Sequence, residues 1–385
     1  MKSLSDEEFS KIVELSRFIY NAAETGSHEV RSSEALKKYL ESLGFSVMMP
    51  YVQMKTAFRA EYGKGPVTVA FLAEYDALPN GHSCGHNLIA AWAAGCATAL
   101  KNVSSNIRII VIGTPSEEGI GEYAGSKVIM AQKGVFNDID IVFGFHPDDR
   151  WAVGASALAD LTLRVEFLGR ASHGADSPEL GVNALDAAVT AYTGINNLRG
   201  WAKNSRHLVV GMVFRESGSA TNVIPDRAVL DIEIRSTSSE FVGMFDMKVR
   251  TLVENIAAGY GGTVSITQIT PLYESYKHNR ELDRILLEEL QRLNINAVDS
   301  DNDPEIPSGS TDEANVSRVV PTGHLDMRIG YPGIPGHSDE FRKAADPYAC
   351  SNDLRVAIEA TVASALRAAD SGALKKIREE FRRDQ

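Results

Sequence analysis

The chain has 385 residues, 44% of them hydrophobic, and a net charge of −12 at neutral pH. That length supports a large core and more than one domain, and the acidic balance argues against nucleic acid or an anionic membrane surface as a partner. Three cysteines, Cys84, Cys96 and Cys350, are too few and too scattered for a disulfide framework.

The start, Met1-Lys-Ser-Leu-Ser-Asp-Glu-Glu, lacks the apolar core of a secretory signal. No run of about 18 apolar residues follows, so a cytoplasmic protein without a membrane span is expected. Ser5 and Glu8 form a capping-box pattern ahead of an amphipathic run ending near Ala23. A second helix is predicted over Arg31–Leu43, closed by Gly44. Strands and helices then alternate: strands over Val67–Ala73, Ile107–Gly113 and Ile139–Phe145, helices over Leu88–Leu100 and Glu122–Lys133. Strands apolar on both faces and separated by helices predict an α/β catalytic domain, a mostly parallel sheet flanked by helices.

The pattern changes after Ala157. Strands are expected over Leu161–Phe167, His207–Phe214, Arg227–Arg235 and Thr263–Ile269, and helices over Val182–Leu198 and Glu240–Ala258. This β-α-β-β-α-β order is the ferredoxin-like α+β signature. The expected organisation is therefore a catalytic domain over 1–157, an inserted domain over 158–271, and a return to the catalytic domain over 272–385. The last part is expected to hold helices near Arg280–Leu293 and Asp353–Ala368 and a loop-rich Asp299–Gly309 segment. The basic Lys375–Arg383 tail reads as a solvated helix face.

Four clusters carry groups able to do chemistry. Glu74-Tyr-Asp-Ala-Leu-Pro79 and Gly81-His-Ser-Cys-Gly-His-Asn87 lie between a predicted strand and a predicted helix, where ligand sites of α/β sheets form. Glu117 and Glu118 follow the next strand, and adjacent carboxylates repel unless a cation or proton lies between them. One ligand and one general base is the natural division of labour for such a pair. His146 ends the third strand. His337 sits in the Pro/Gly-rich loop Tyr331-Pro-Gly-Ile-Pro-Gly-His337. Singly, each has an ordinary structural explanation: a buried thiol, a solvated acid pair, a core histidine. Together, two carboxylates, a thiolate and three imidazoles suit Zn2+ or Mn2+, as one ion or two.

At this point the chain resembles the M20 metallopeptidases, above all their amidohydrolase branch (subfamily D), and within it the aminobenzoyl-glutamate hydrolase and M20-domain dipeptidase subgroup. The resemblance spans essentially the whole chain. It includes Gly169-Arg-Ala-Ser-His-Gly174, Gly181-Val-Asn-Ala-Leu-Asp186, Thr221-Asn-Val-Ile-Pro-Asp226 and Gly309-Ser-Thr-Asp312. It implies that Cys84, His86, Glu118, His146 and His337 hold metal, that Glu117 is the general base, and that Asp76 orients a ligand imidazole. It further implies that His173 stabilises an oxyanion, reaching the partner's active site in dimeric relatives, and that the inserted domain is a lid and dimerisation domain that makes the protein a homodimer. Asn222 and Arg235 are implied to bind a small amide or amine substrate, Arg235 through a carboxylate; a loop cap and a strand-end salt bridge are their ordinary alternatives.

Two departures stand out. Most M20 enzymes have His-x-Asp where this chain has Glu74-Tyr75-Asp76, so a ligand histidine is absent at position 74. Ser83 replaces a more usual alanine. The expected activity is metal-dependent hydrolysis of an amide: an N-acyl amino acid, an aminobenzoyl-glutamate-like compound or a dipeptide. The alternatives are release of ammonia from an aromatic amine on the same fold, a non-catalytic binding protein, and a cysteine-nucleophile hydrolase using Cys84 and His86. Pocket walls are expected near Tyr273–His278, Asp299–Ser310 and Met327–Pro335.

Overall fold

The computed structural model describes residues 3–202, 207–300, 302 and 309–383. The middle of the expected loop-rich Asp299–Gly309 segment, 303–308, lies outside the described residues. The chain opens with helices α1 (Asp6–Ala22) and α2 (Val30–Ser42) and short strands β1 (Ser46–Met48) and β2 (Phe58–Tyr62). There follow β3 (Val67–Ala73), α3 (His86–Val103), β4 (Ile107–Gly113), α4 (Ser126–Gln132), β5 (Ile141–Asp148) and β6 (Ala152–Val153). Next come β7 (Ala159–Leu168), α5 (Ala184–Ala202), β8 (Leu208–Glu216), β9 (Arg227–Ser236), α6 (Ser239–Gly259) and β10 (Thr263–Gln268). The chain closes with α7 (Arg280–Arg292), β11 (Val298–Asp299), α8 (Glu313–Ser317), β12 (Thr322–Arg328), α9 (Asp339–Ala344), α10 (Ser351–Ala368) and α11 (Ser371–Arg383).

These elements form two compact units. One contains the chain up to Ser156 and most of it from Tyr276 on; the other contains Ala157–Ser275 and a short segment ending at Thr311. The first is built on an eight-stranded sheet in the order β1-β2-β4-β3-β5-β12-β6-β11. Its centre, β4-β3-β5-β12, is parallel. β2 joins β4, and β6 joins β12, in antiparallel fashion. The central strands are apolar on both faces because helices cover both.

α3 is apolar around its whole circumference and buried almost throughout, as expected of a helix packed between layers. Its Trp92 stacks on Phe145 at 5.0 Å and meets Phe71 edge-on at 5.7 Å.

The sequence reading missed β12, although it lies in the middle of the sheet. Gly323, His324 and Asp326 interrupt its apolar pattern and make it read as a loop. The expected helix Glu122–Lys133 begins only at Ser126, because Gly121 and Gly125, at φ +89° and +71°, keep the preceding residues in a turn. The basic tail is also more than a solvated face. α11 buries Leu374 and Ile377, and the Glu380 carboxylate accepts the N–H groups of Arg280 and Glu281 at 3.0 and 3.1 Å, capping α7.

The second unit is the β-α-β-β-α-β element expected from sequence. Its antiparallel sheet runs in the order β10-β7-β9-β8. Leu161, Leu163, Val165 and Phe167 alternate on β7 with polar residues and share one core with Ile195 of α5 and Phe245, Val249 and Val253 of α6. No helix among the described residues is long and apolar enough to cross a membrane.

Candidate metal centre and active site

Three parallel strands and one distant loop deliver the site. β3 ends at Ala73, and Glu74 and Asp76 follow. β4 ends at Gly113, and Glu117 and Glu118 follow. β5 carries His146. Cys84 and His86 flank Gly85, the residue ahead of α3, which turns with φ +81°. A Cβ there would lie 2.4 Å from the Pro147 ring, so only glycine lets this junction approach β5 so closely.

The His86 and His146 rings are each fixed through Nδ1, which leaves Nε2 aimed inward, whereas His337 is held through its backbone. His86 Nδ1 donates to Asp76 Oδ1 at 2.8 Å, and Asp76 Oδ2 accepts the N–H of Glu118 at 3.1 Å. His146 Nδ1 donates to the Pro147 carbonyl at 2.7 Å, while its Nε2 lies 3.3 Å from Cys84 Sγ. His86 Nε2 faces three carboxylates: Glu74 at 3.6 Å, Glu118 at 3.7 Å and Glu117 at 3.8 Å. His337, at φ +61°, donates its backbone N–H to the Ser83 carbonyl at 3.0 Å, and its Nε2 lies 3.7 Å from Glu118 Oε2.

Three groups of donor atoms follow, each gathered within 4.8 Å: Cys84 with His86 and His146, Cys84 with Glu118 and His337, and Glu74 with His86 and Glu117. The set fits a divalent cation. His86 Nε2 and Glu118 Oε1 are buried without a hydrogen-bond partner among the described residues, and the thiol, imidazole and carboxylate donors match Zn2+ or Mn2+. The electrostatics agree. Burial, then Cys84, push Glu118 up to about 8, and burial, then Glu74, push Glu117 well above the usual carboxylate range. Burial alone would raise the Cys84 thiol, but the charges of His146 and His86 outweigh it and hold the group well below the usual thiol range. Such crowding of acids is relieved by a cation among them.

Two further residues belong here that sequence reading did not single out as functional. Lys127 of α4 is fully buried; its Nζ lies 2.9 Å from Glu74 Oε1 and bonds Asp312 Oδ1, and its N–H donates to Asp312 Oδ2 at 3.0 Å. Asp312 stood in a quoted motif, but Lys127 carried no signal, since it reads as one polar position of an amphipathic helix. Glu74, where the common histidine is absent, is therefore held inside the site by a buried cation. Replacing Lys127 by Met would leave two buried carboxylates without that partner. The holoenzyme variant is expected to lose about 3–5 kcal/mol of unfolding free energy, read from denaturant midpoints at fixed metal; a loss below about 1 kcal/mol would show the pairing adds nothing.

His82 is the one imidazole of the 81–87 stretch that stays outside. Its Nε2 meets the Ile19 carbonyl at 3.0 Å, and burial lowers its pKa to about 4, so it is a neutral core histidine. His173, Asn222 and Arg235 lie in the second unit. His173 is exposed, and its Nδ1 accepts the N–H groups of Ala175 and Asp176 at 3.2 and 3.1 Å, which leaves the ring proton on Nε2. Asn222 accepts the Gly174 N–H through its backbone carbonyl at 2.8 Å. Arg235 makes the strand-end ion pairs of its ordinary alternative, with Glu233 at 2.8 Å and Asp160 at 3.3 Å.

Comparison with known proteins assigns the family. Residues 160–261 match the peptidase dimerisation domain of M20 enzymes. The Xaa-Arg dipeptidase of Mus musculus is 34% identical over 88% of this chain and 81% of its own length. This chain belongs to the M20 family. A p-aminobenzoyl-glutamate hydrolase component of Escherichia coli is a further relative of this M20 enzyme, 30% identical over 71% of this chain and 61% of its own length. A dinuclear metal-binding M20 peptidase of Bacillus subtilis has the same fold, with a TM-score of 0.66 and 20% identity over 91% of this chain and 98% of that one. The M20 enzyme is thus a hydrolase of amide bonds carrying a dimerisation domain, with donor side chains grouped as a metal site requires, and the expected fold class and activity class hold.

Proposed function

We propose that this M20 enzyme is a dipeptidase-type amidohydrolase working with two divalent ions, Zn2+ or Mn2+, held by Cys84, His86, Glu118, His146 and His337. The observation that carries the reading is that Cys84 belongs to two separate donor groups, one with His86 and His146, the other with Glu118 and His337. Divalent ions held there would draw on the Cys84 thiolate as a donor common to both groups. Asp76 fixes the ring of His86 and so its inward nitrogen.

Divalent ions at this site supply an acidified water and a positive charge for the scissile carbonyl. Glu117 takes the proton of the attacking water and hands it to the leaving amine, breaking the C–N bond. His173, with its proton on Nε2, has the right tautomer to donate to the oxyanion, and in a homodimer built through the 160–261 domain it would act on the partner's substrate. Asn222 and Arg235 bind the substrate. Arg235 Nε, buried and without a hydrogen-bond partner among the described residues, remains available to a carboxylate although Nη2 is paired. A thiolate ligand also calls for a reducing compartment, which favours the cytoplasm.

Among substrates, a dipeptide with a basic C-terminal residue comes first, on the likeness to the mouse and human Xaa-Arg dipeptidases and the strongly acidic chain. The test is a screen of the Zn2+- and Mn2+-loaded enzyme. It covers Xaa-Arg and Xaa-Lys dipeptides, aminobenzoyl-glutamate, N-acyl amino acids and aromatic amines, with free amine and ammonia both assayed. Hydrolysis of a dipeptide is expected; ammonia from aromatic amines as the sole product would replace this reading by the aminohydrolase one.

A further inference from the structure

The loop between α1 and α2 lies against the two loops that carry the site's acids, and a buried carboxylate at its end joins them. Glu29 is fully buried. Its Oε1 accepts the N–H of Ser116 at 2.9 Å, and its Oε2 accepts the Thr56 hydroxyl at 3.0 Å. Ser116 is the residue before Glu117 and stands at φ +60°, a left-handed conformation uncommon outside glycine. Its hydroxyl lies 3.0 Å from that of Ser27, and Ser27 Oγ in turn accepts the N–H of Tyr123 at 2.8 Å.

The two loops touch backbone to backbone. A Cβ on Gly26 would lie 2.2 Å from the Ile120 carbonyl oxygen, so no side chain fits between them. On the other side, the Thr56 carbonyl accepts the hydroxyl of Tyr75, which sits between Glu74 and Asp76, at 2.6 Å, and Ala77 donates its N–H to the Glu24 carbonyl at 2.8 Å.

We propose that Glu29 is a positioning residue for the active site: by accepting the Ser116 N–H it holds the left-handed turn that aims Glu117 and Glu118, and through Thr56 it ties that turn to the strand end bearing Glu74 and Asp76. A non-glycine residue keeps such a φ only where its surroundings over-determine it, and Glu29 is the buried acceptor that does so here. The inference rests on the reading of Glu117 as base and Glu118 as metal ligand.

The test uses the metal-loaded full chain. Glu29→Leu, which fills the space but accepts no hydrogen bond, is expected to lower kcat about 100-fold with KM within about threefold, as small misplacements of catalytic groups do. Chelator competition should show Mn2+ held about tenfold more weakly, since support of a ligand is lost. Glu29→Gln, which keeps one acceptor, should lose less than tenfold. Adding Ser116→Gly to Glu29→Leu should restore kcat at least tenfold, because glycine takes the positive φ unaided; a purely structural role of Glu29 predicts no such rescue.

Ser116→Val leaves Glu29 in place and should cost about tenfold in kcat, because a β-branched residue resists positive φ. It also serves if Glu29→Leu does not fold. Wild-type kcat and metal affinity in Glu29→Leu, no recovery in the folded double variant, or wild-type kcat in Ser116→Val would each overturn the proposal. Glu117→Gln separates the two layers: if that variant stays active, the reading of Glu117 fails first, and if it is inactive while Glu29→Leu is not, only the role of Glu29 fails.

Discussion

Glu117→Gln is expected to bind metal as the wild type does and to lose turnover by roughly a thousandfold or more, within the range general base catalysis supplies. The expectation rests on placement. Glu117 lies among Glu74, His86 and Lys127 at the C-terminal end of the parallel sheet, and its Oε2 is 3.8 Å from His86 Nε2. Glutamine keeps the shape and removes the site that accepts the proton, so KM should change by less than about tenfold while kcat collapses, the pattern of a group needed only in the transition state. Steady-state kinetics with metal content measured on the same samples decides it. If turnover survives with full metal occupancy, another group is the base.

The same variant tests the dimer. Mixed with the His173→Ala protein, it should regain part of the activity if His173 of one protomer serves the other, because hybrid dimers then contain one intact site. No recovery after exchange of protomers would mean that each site is complete within its own chain.

Cys84→Ala is expected to have the second large effect, on metal content itself. Cys84 is the member common to the Cys84–His86–His146 and Cys84–Glu118–His337 groups, so its loss removes a donor from both. Metal analysis after dialysis should give fewer than two ions per chain. Affinity by chelator competition should fall by more than the roughly 10- to 100-fold typical of losing a mere supporting contact. Asp76→Asn, which disturbs only the hydrogen bond to His86 Nδ1, provides that smaller comparison.

Stripping the wild type with a chelator should abolish activity, and Zn2+ or Mn2+ should restore it. A cysteine nucleophile would instead survive the chelator and die with Cys84→Ala at unchanged metal content. Two ions retained in Cys84→Ala would show that the thiolate is not shared.

The sequence by itself determined the strand ends that carry the chemistry. β3 and β4 were legible residue for residue because both are continuous apolar runs bounded by polar turns, a pattern set by burial on both faces. The βαββαβ unit was legible because alternation on β7 and β9 is a local property. Cys84, His86, Glu117, Glu118 and His146 could be chosen because their residue types sit at those ends.

Tertiary structure alone decided the rest. β12 is a strand because β5 pairs with it and because Glu313, at 2.8 Å, satisfies His324 in its polar middle; its own sequence reads as a loop. His82 and His86 are equivalent imidazoles in the sequence, and only packing sends one to the Ile19 carbonyl and the other to Asp76. Lys127 becomes part of the site only when Asp312, 185 residues away, meets it in the buried interior. Glu29 acquires a role only where the turn at Ser116 reaches it. Periodicity and residue type report which face of an element is buried, whereas the partner of a buried charge is set by contacts between distant segments, and those contacts exist only in the folded chain.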